Sequence, residues 1–473
     1  MHQVVREHVQ TVLAGAEERS EHGIGYPAYV AKEFYRYLDC GQLGRGFCRL
    51  VCRDCGHEQL LAFSCKGRLC PSCTGRRMAE TAAHLVDHLL PRAPYRQWVL
   101  TVPWRIRLRL ASDKALLSQA LSVLLRTVFA FQRRRARRLG ITKPLCGAVS
   151  FVHRFNSLLR LSPHYHSFLP DGVLYEVEPG QLVFAELPPP SDEDITKLLL
   201  RIATRIEQLV ALHADDSSDE PDDEQRALAS SLAEAAQPMG QTRLPGGLYI
   251  PTPDKPRCAH LDGYSLHADV SVAADDRTGL ERLLRYGARP ALAQHRLSLT
   301  PAGNIRYRLR KAGFDGRSHI EMAPEDFVRR LAALIPPPWL NLTRFHGVFA
   351  SRSKHRPLLR PLLPHVHLAA ASAASTTADD AEPSAAAVPV ELSPDPLPKH
   401  IRIAWAELLR RCFAVDALAC PRCDGGRMRL VATIKDPDVI RKILGHLGLP
   451  GQPPPIAPAR APPQMRFDDD LLA

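Results

Sequence analysis

The 473-residue chain reads as an α+β protein. It divides into a cysteine-rich N-terminal knuckle, a strand-rich centre flanked by helices, and a small helical C-terminal module behind a linker. Three observations lead there. Seven cysteines crowd between Cys40 and Cys73. β-Branched and aromatic runs alternate with amphipathic runs from about residue 96 onward. Residues 366–398 are dominated by Ala, Ser, Pro and Asp, the composition of a disordered linker. The expected domains are therefore 1–95, 96–362 with an acidic insert near 213–240, a linker at 363–399, and 400–473.

The elements follow in order. Residues 1–40 have helical patterning, ending in "YPAYVAKEFYRYLDCG". A helix near 76–90 stops at Pro91, and "RQWVLTVP" is a buried strand. A long helix over about 113–139 is apolar first and then very basic, closed by Gly140. "CGAVSFVHRF" and "HYHSFLPDGVLYEVE" are neighbouring strands joined by "NSLLRLSP". After a helix near 193–213, "HADDSSDEPDDEQ" has the charge and low hydrophobicity of a disordered surface insert. "GYSLHADVSVAA" is a further strand, "RTGLERLLRYGARP" a helix, "HRLSLTPAGNIRYRLR" two strands, and "APEDFVRRLAALIPPP" a helix ended by prolines. "IRIAWAELLRRCFAV" and "DPDVIRKILGHLG" are the helices of the last module, before a Pro-rich tail.

Composition narrows the function classes. Hydrophobic residues make up 45% and charged residues 24%, as in ordinary globular proteins. No apolar run reaches about 18 residues, so no membrane span is expected. The N-terminal stretch lacks a signal-peptide apolar core, which points to the cytoplasm. The net charge is +12, from 62 Lys and Arg against 50 Asp and Glu. Its Arg-rich clusters suit phosphate backbones, although solvated faces have the same composition.

Twelve cysteines in a reducing compartment point to metal rather than to disulfides. Cys52-x-x-Cys55 and Cys70-x-x-Cys73, fourteen residues apart, have near zinc-ribbon spacing. Two such turns make a closed tetrahedral site for structural Zn²⁺. Cys65 and His57 are spare donors, and Cys40 and Cys48 are expected to pack as small apolar residues. Cys420-x-x-Cys423 is half a site, with Cys412 a weak extra candidate. Lys66, Arg68, Arg76 and Arg77 form either a phosphate-facing rim or a solvated one.

His164 and His166, two apart on a strand, share one face. His153 on the preceding strand is placed to join them, and three imidazoles would leave coordination positions open for water and a phosphate oxygen. Solvated or core histidines are the alternative. Tyr286, flanked by Arg285 and Arg289, is a candidate nucleophile, or else a half-buried helix tyrosine. The run Arg133, Arg134, Arg135, Arg137 and Arg138 suits a phosphate backbone.

The motifs "FSCKGRLCPSCTGRRMAETAAHLVDHLLP", "RQWVLTVP", "GAVSFVHRFNSLLRLSPHYHSFLPDGV", "LERLLRYGARP" and "FHGVFA", in this order, resemble the rolling-circle transposases of bacterial insertion sequences. The likeness is to the insertion-sequence-ninety-one type, including its common-region, single-tyrosine branch. "WAELLRRCFAVDALACPRCDGGRMRL" and "DPDVIRKILGHLGLP" are similar to the end of that branch.

The resemblance implies a histidine-hydrophobic-histidine (HUH) endonuclease with Tyr165 between the ligands His164 and His166. Its core would be an antiparallel sheet with helices packed on it and the metal strand central. Tyr286 would attack single-stranded DNA at element ends and target, forming a 5′-phosphotyrosine, with Mg²⁺ or Mn²⁺ at the histidines and no nucleotide cofactor. Such a protein acts at the bacterial nucleoid. For the third ligand, His153 is preferred to His267.

Two departures stand out. Founding members use two tyrosines four residues apart, whereas Arg282 and Pro290 occupy those positions around Tyr286. The chain must reuse Tyr286, use another nucleophile, or pair with a second protomer in a homodimer. Asn156 stands where the family often has Gly. Competing readings are a replication initiator or relaxase with the same chemistry, and a non-catalytic zinc-ribbon DNA-binding protein. A histidine-metal hydrolase of small molecules fits the arginine run poorly.

Overall fold

The computed structural model describes residues 1–19, 23–215, 223–236, 255–310, 316, 318–362 and 404–460. The expected linker at 363–399 lies outside them. Helices α1 (His2–Arg19) and α2 (Ala28–Leu38) lead into the hairpin of β1 (Phe47–Cys52) and β2 (Glu58–Ala62), then α3 (Pro71–His88). β3 (Tyr95–Thr101), α4 (Trp104–Ser112) and α5 (Lys114–Arg138) precede the hairpin of β4 (Gly147–Phe155) and β5 (Leu161–Pro170). Next come β6 (Gly172–Glu178), β7 (Gln181–Glu186), α6 (Asp192–Asp215) and α7 (Asp223–Ala236). Three short strands, β8 (Cys258–Leu261), β9 (Tyr264–His267) and β10 (Ser271–Val272), lead to α8 (Arg277–Ala288). A meander of β11 (Leu297–Leu299), β12 (Ile305–Arg308) and β13 (His319–Met322) precedes α9 (Pro324–Leu334) and β14 (Thr343–Gly347). The chain closes with α10 (Trp405–Phe413), β15 (Met428–Ile434) and α11 (Pro437–His446).

The central sheet has the order β14-β4-β5-β3-β9-β8, with β10 also on β3. Every pair in it is antiparallel. β5 lies between β4 and β3, so its backbone is paired on both sides. Alternation along the strands divides their side chains between two cores. Leu100, Val152, Tyr165 and Leu266 meet α4, α5 and α6 in one. Val149, Phe151 and Phe168 meet α3 and α8 in the other. Capping sets two of these helices. Asp113 accepts from the Ala115 and Leu116 N–H groups at 2.7 and 2.9 Å to start α5, and Asp276 accepts from Gly279 N–H at 2.7 Å to start α8.

α5 has the length and composition of a membrane span, yet 67% of its apolar window is buried inside the protein, as in a core helix. The β4–β5 turn shows what Asn156 does. Its Oδ1 accepts from Leu158 and Arg160 N–H at 2.9 and 3.1 Å, a side-chain bracing that Gly cannot supply.

Two expectations change. Residues 216–222 and 237–240 of the acidic insert lie outside the described residues, but Asp223–Ala236 is helical. Leu228 and Leu232 of α7 are buried with Ala111, Phe155 and Leu161, because their spacing of four puts both on one helix face. The C-terminal module is not purely helical and does not stand apart from the N-terminal part. β15 pairs antiparallel with β1, forming a sheet of order β15-β1-β2.

Candidate active site and metal centres

β5 puts His164 and His166 on one face, and register brings His153 of β4 directly opposite His164. The three ring centroids lie 4.7–5.1 Å apart. Tyr165 points the other way, fully buried, and its hydroxyl donates to the Leu117 carbonyl at 2.9 Å. That bond anchors the strand between its two histidines.

Each imidazole is held by one ring nitrogen. His153 Nε2 donates to the Gly287 carbonyl at 2.6 Å, and His164 Nδ1 donates to the Ser162 carbonyl at 2.7 Å. The buried Gln97 side chain lies 2.7 Å from His166 Nδ1, leaving His166 Nε2 buried without a hydrogen-bond partner. Burial lowers His153 to about 3 and His164 to about 4, and takes His166 well below its usual value; Arg289 pushes all three in the same direction. All three are therefore neutral at pH 7, the form that binds a metal. A converging set with one orphaned nitrogen fits a divalent ion. Gln97 is the residue that orients His166: its Nε2 faces Nδ1 at 2.7 Å, and turning the amide over, so that Oε1 accepts from Nδ1–H, would free the His166 Nε2 lone pair for an ion.

Tyr286, on the last turn of α8, comes to the same place. Its ring centroid lies 5.8 Å from that of His166, nearly perpendicular to it. The tyrosine is 38% exposed. Arg289 stacks 4.1 Å over the ring and donates to the hydroxyl at 3.3 Å, while Arg310 donates from 3.4 Å. α8 comes this close because Gly287 packs against Phe151 and Phe168 with no room for a Cβ.

The expected single four-cysteine set Cys52, Cys55, Cys70 and Cys73 is divided between two places. Cys70 and Cys73, at the start of α3, converge with Cys40 and Cys65. Their closest sulfur pairs are 3.5–3.8 Å apart. Cys52 and Cys55 converge instead with Cys420 and Cys423, with sulfur pairs at 3.6 and 3.7 Å. A tetrahedral ion with 2.3 Å bonds to sulfur holds its ligands about 3.8 Å apart. Both sets have that spacing. The physical reason is that each CxxC turn supplies half a tetrahedron, and the pairing of β1 with β15 brings the two distant halves together.

Residues 9–102 match a family model described as a transposase zinc-binding domain, Zn_Tnp_IS91. Residues 147–356, which include all three histidines and Tyr286, match the Y2_Tnp transposase model. The chain belongs to the IS91-type transposase family. No curated protein and no solved structure matches it.

The transposase thus carries a zinc-binding domain whose four-cysteine geometry suits structural zinc. Cys65, a spare donor on the sequence, joins this ligand geometry, and so does Cys40 instead of only packing, whereas Cys48 and His57 stay outside both sets. The basic rim is partly structural: Arg68 donates to the Pro337 and Pro338 carbonyls at 2.7 and 2.9 Å, and Arg77 to that of Lys66 at 2.8 Å. His267 lies away from the histidine trio, grouped with Cys258 and His260. The run Arg133, Arg134, Arg135, Arg137 and Arg138 ends α5, which packs on the Tyr165 side of the sheet, away from the histidines. Arg135 there donates to the Pro188 carbonyl at 2.9 Å. Arg285 is half-buried beside Tyr286. Sequence reasoning missed Arg310 and Gln97. Arg310 lies just after β12, and only tertiary packing brings it to α8; Gln97 looked like an ordinary residue of a buried strand.

Proposed function

We propose that the transposase nicks and rejoins single-stranded DNA through a 5′-phosphotyrosine on Tyr286, as an HUH endonuclease that mobilises an insertion sequence by a rolling-circle-like route. The observation that carries this reading is the meeting of Tyr286 with the three-histidine cluster, ring centroids 5.8 Å apart at His166. His153, His164 and His166 would hold Mg²⁺ or Mn²⁺, which when bound supplies Lewis-acid stabilisation of charge on the scissile phosphate.

The chain's own residues do the rest. Arg289 and Arg310 hold the phenol through its hydroxyl and would offset the phosphate's negative charge. The Tyr286 oxygen bonds to phosphorus as its proton leaves to water. The bond from phosphorus to the 3′-oxygen breaks, and that oxygen departs to become a 3′-hydroxyl. The ester link conserves the bond energy, so a later 3′-hydroxyl can reverse the step and join strands. The arginine run on α5 would serve only a strand that wraps to the far side of the sheet.

The test is incubation of the protein with labelled single-stranded oligonucleotides bearing element-end sequences, with Mg²⁺ or Mn²⁺. A covalent adduct that survives denaturation is expected from the wild type and should be absent from Tyr286→Phe. Unchanged cleavage by that variant would remove Tyr286 as the nucleophile.

A further inference from the structure

Cys258, His260 and His267 form a further converging group of ligand atoms, separate from the histidine trio and from both cysteine sets. We propose that they bind a zinc ion through three protein ligands, with the fourth position left to water.

Strand geometry builds the group. Cys258 and His260 are two apart on β8 and so share a face. His267 of β9 lies directly opposite Cys258 in the ladder. The Cys258 sulfur is 3.0 Å from His267 Nε2 and 3.3 Å from His260 Nε2. The two imidazoles stand at 89° to each other with centroids 6.2 Å apart, so their nitrogens approach the sulfur from different directions. The thiol can donate to one ring nitrogen and accept an N–H from the other, and the same three atoms are also placed to take a metal ion. A shared cation satisfies all three lone pairs. Tetrahedral zinc separates its sulfur and nitrogen ligands by about 3.5 Å, so the three atoms need to open by only a few tenths of an ångström. Sulfur and imidazole donors favour zinc over Mg²⁺.

The position also matters. Val99 of β3 is paired with His166 on one side and with His267 on the other. The new site therefore shares the face of the histidine trio, two strand spacings or about 10 Å away. It would clip the edge hairpin β8–β9, where no further strand pairs with β8 among the described residues.

The test is the zinc content per chain of the purified full-length protein, by mass spectrometry, for wild type, Cys258→Ser, His267→Gln and His260→Gln. Each variant is expected to hold one zinc fewer than wild type. With Co²⁺ as the probe, the wild-type spectrum minus that of His267→Gln should show a thiolate-to-cobalt charge-transfer band. His260→Gln, at an exposed edge position, decides the matter if either of the others fails to fold. Equal zinc content in wild type and in the folded variants, with no cobalt difference band, would overturn the proposal and leave a thiol–imidazole hydrogen bond.

Discussion

His153 and His164 each spend one ring nitrogen on a backbone carbonyl, and His166 faces Gln97. Those bonds hold each imidazole in place while burial keeps it neutral. Burial also links the trio to stability. In the unfolded chain these imidazoles take up protons as pH falls through about 6.5, whereas in the folded protein His153 and His164 wait until about 3 and 4. Between those limits the unfolded state binds more protons, so stability falls as the solution is acidified and recovers as pH rises. Each such group adds a slope of at most about 1.4 kcal/mol per pH unit. Urea unfolding from pH 7 to pH 5, without added Mg²⁺ or Mn²⁺, should show a shallower pH slope for His153→Gln than for wild type. Parallel slopes would mean that His153 is not held neutral by its burial.

Among elements, the contact that makes the site is α8 against the β4–β5 hairpin. A Cβ on Gly287 would lie 2.6 Å from the Phe168 ring and 2.9 Å from that of Phe151, both buried and unable to swing away. Gly287→Ala should therefore lift the end of α8, lengthen the His153–Gly287 bond and carry Tyr286 away from His166. The expected stability cost is about 1–3 kcal/mol. Adduct formation should fall more than the population of folded protein does, which comparing the yield with thermal melts would check; a fall matching the folded fraction would reduce Gly287 to a packing residue. Much of this element-level arrangement was legible in the sequence. The two-residue period of "HYH" put both imidazoles on one face, and the short "NSLLRLSP" connection made β4 the natural neighbour that supplies His153. Tyr286 stood out through its flanking arginines. What could not be read was which cysteine pairs meet. A CxxC turn looks the same whichever half-site completes it, and the partner of Cys52 and Cys55 lies more than 360 residues away in the sequence. The half-site at Cys420 and Cys423 was visible; the pairing of β1 with β15 that completes it was not.

At the scale of the molecule, the two ends of the chain close on each other and on the tyrosine helix. β15 extends the β1–β2 sheet, and Ile440 and Leu444 of α11 bury Phe47. Beyond α11, the Pro-rich stretch lies along α1, where Ala457 N–H donates to the Arg6 carbonyl and Arg460 N–H to the Thr11 hydroxyl, both at 3.1 Å. Arg411 of α10 donates to Asp87 of α3 at 2.9 Å and to Glu281 of α8 at 2.8 Å. The C-terminal module thus grips the zinc-binding domain and also α3 and α8, the pair that carries Cys70 and Cys73 at one end and Tyr286 at the other. Of these contacts the Cys52–Cys55–Cys420–Cys423 set should be the strongest, since structural zinc contributes about 10–16 kcal/mol in apparent terms. A protease recognition sequence inserted between residues 363 and 403 provides the measurement. After cutting, the two pieces of the zinc-replete protein should co-elute on gel filtration as one particle. Cys423→Ser, or a chelator added to wild type, should let the C-terminal piece elute separately, because β15, α11 and the tail then hold it by small contacts alone. Separation of the zinc-replete pieces would show that the four-cysteine set does not bridge the two ends. Co-elution that survives both the variant and the chelator would assign the bridging to the strand pairing and the Arg411 contacts instead of to the metal.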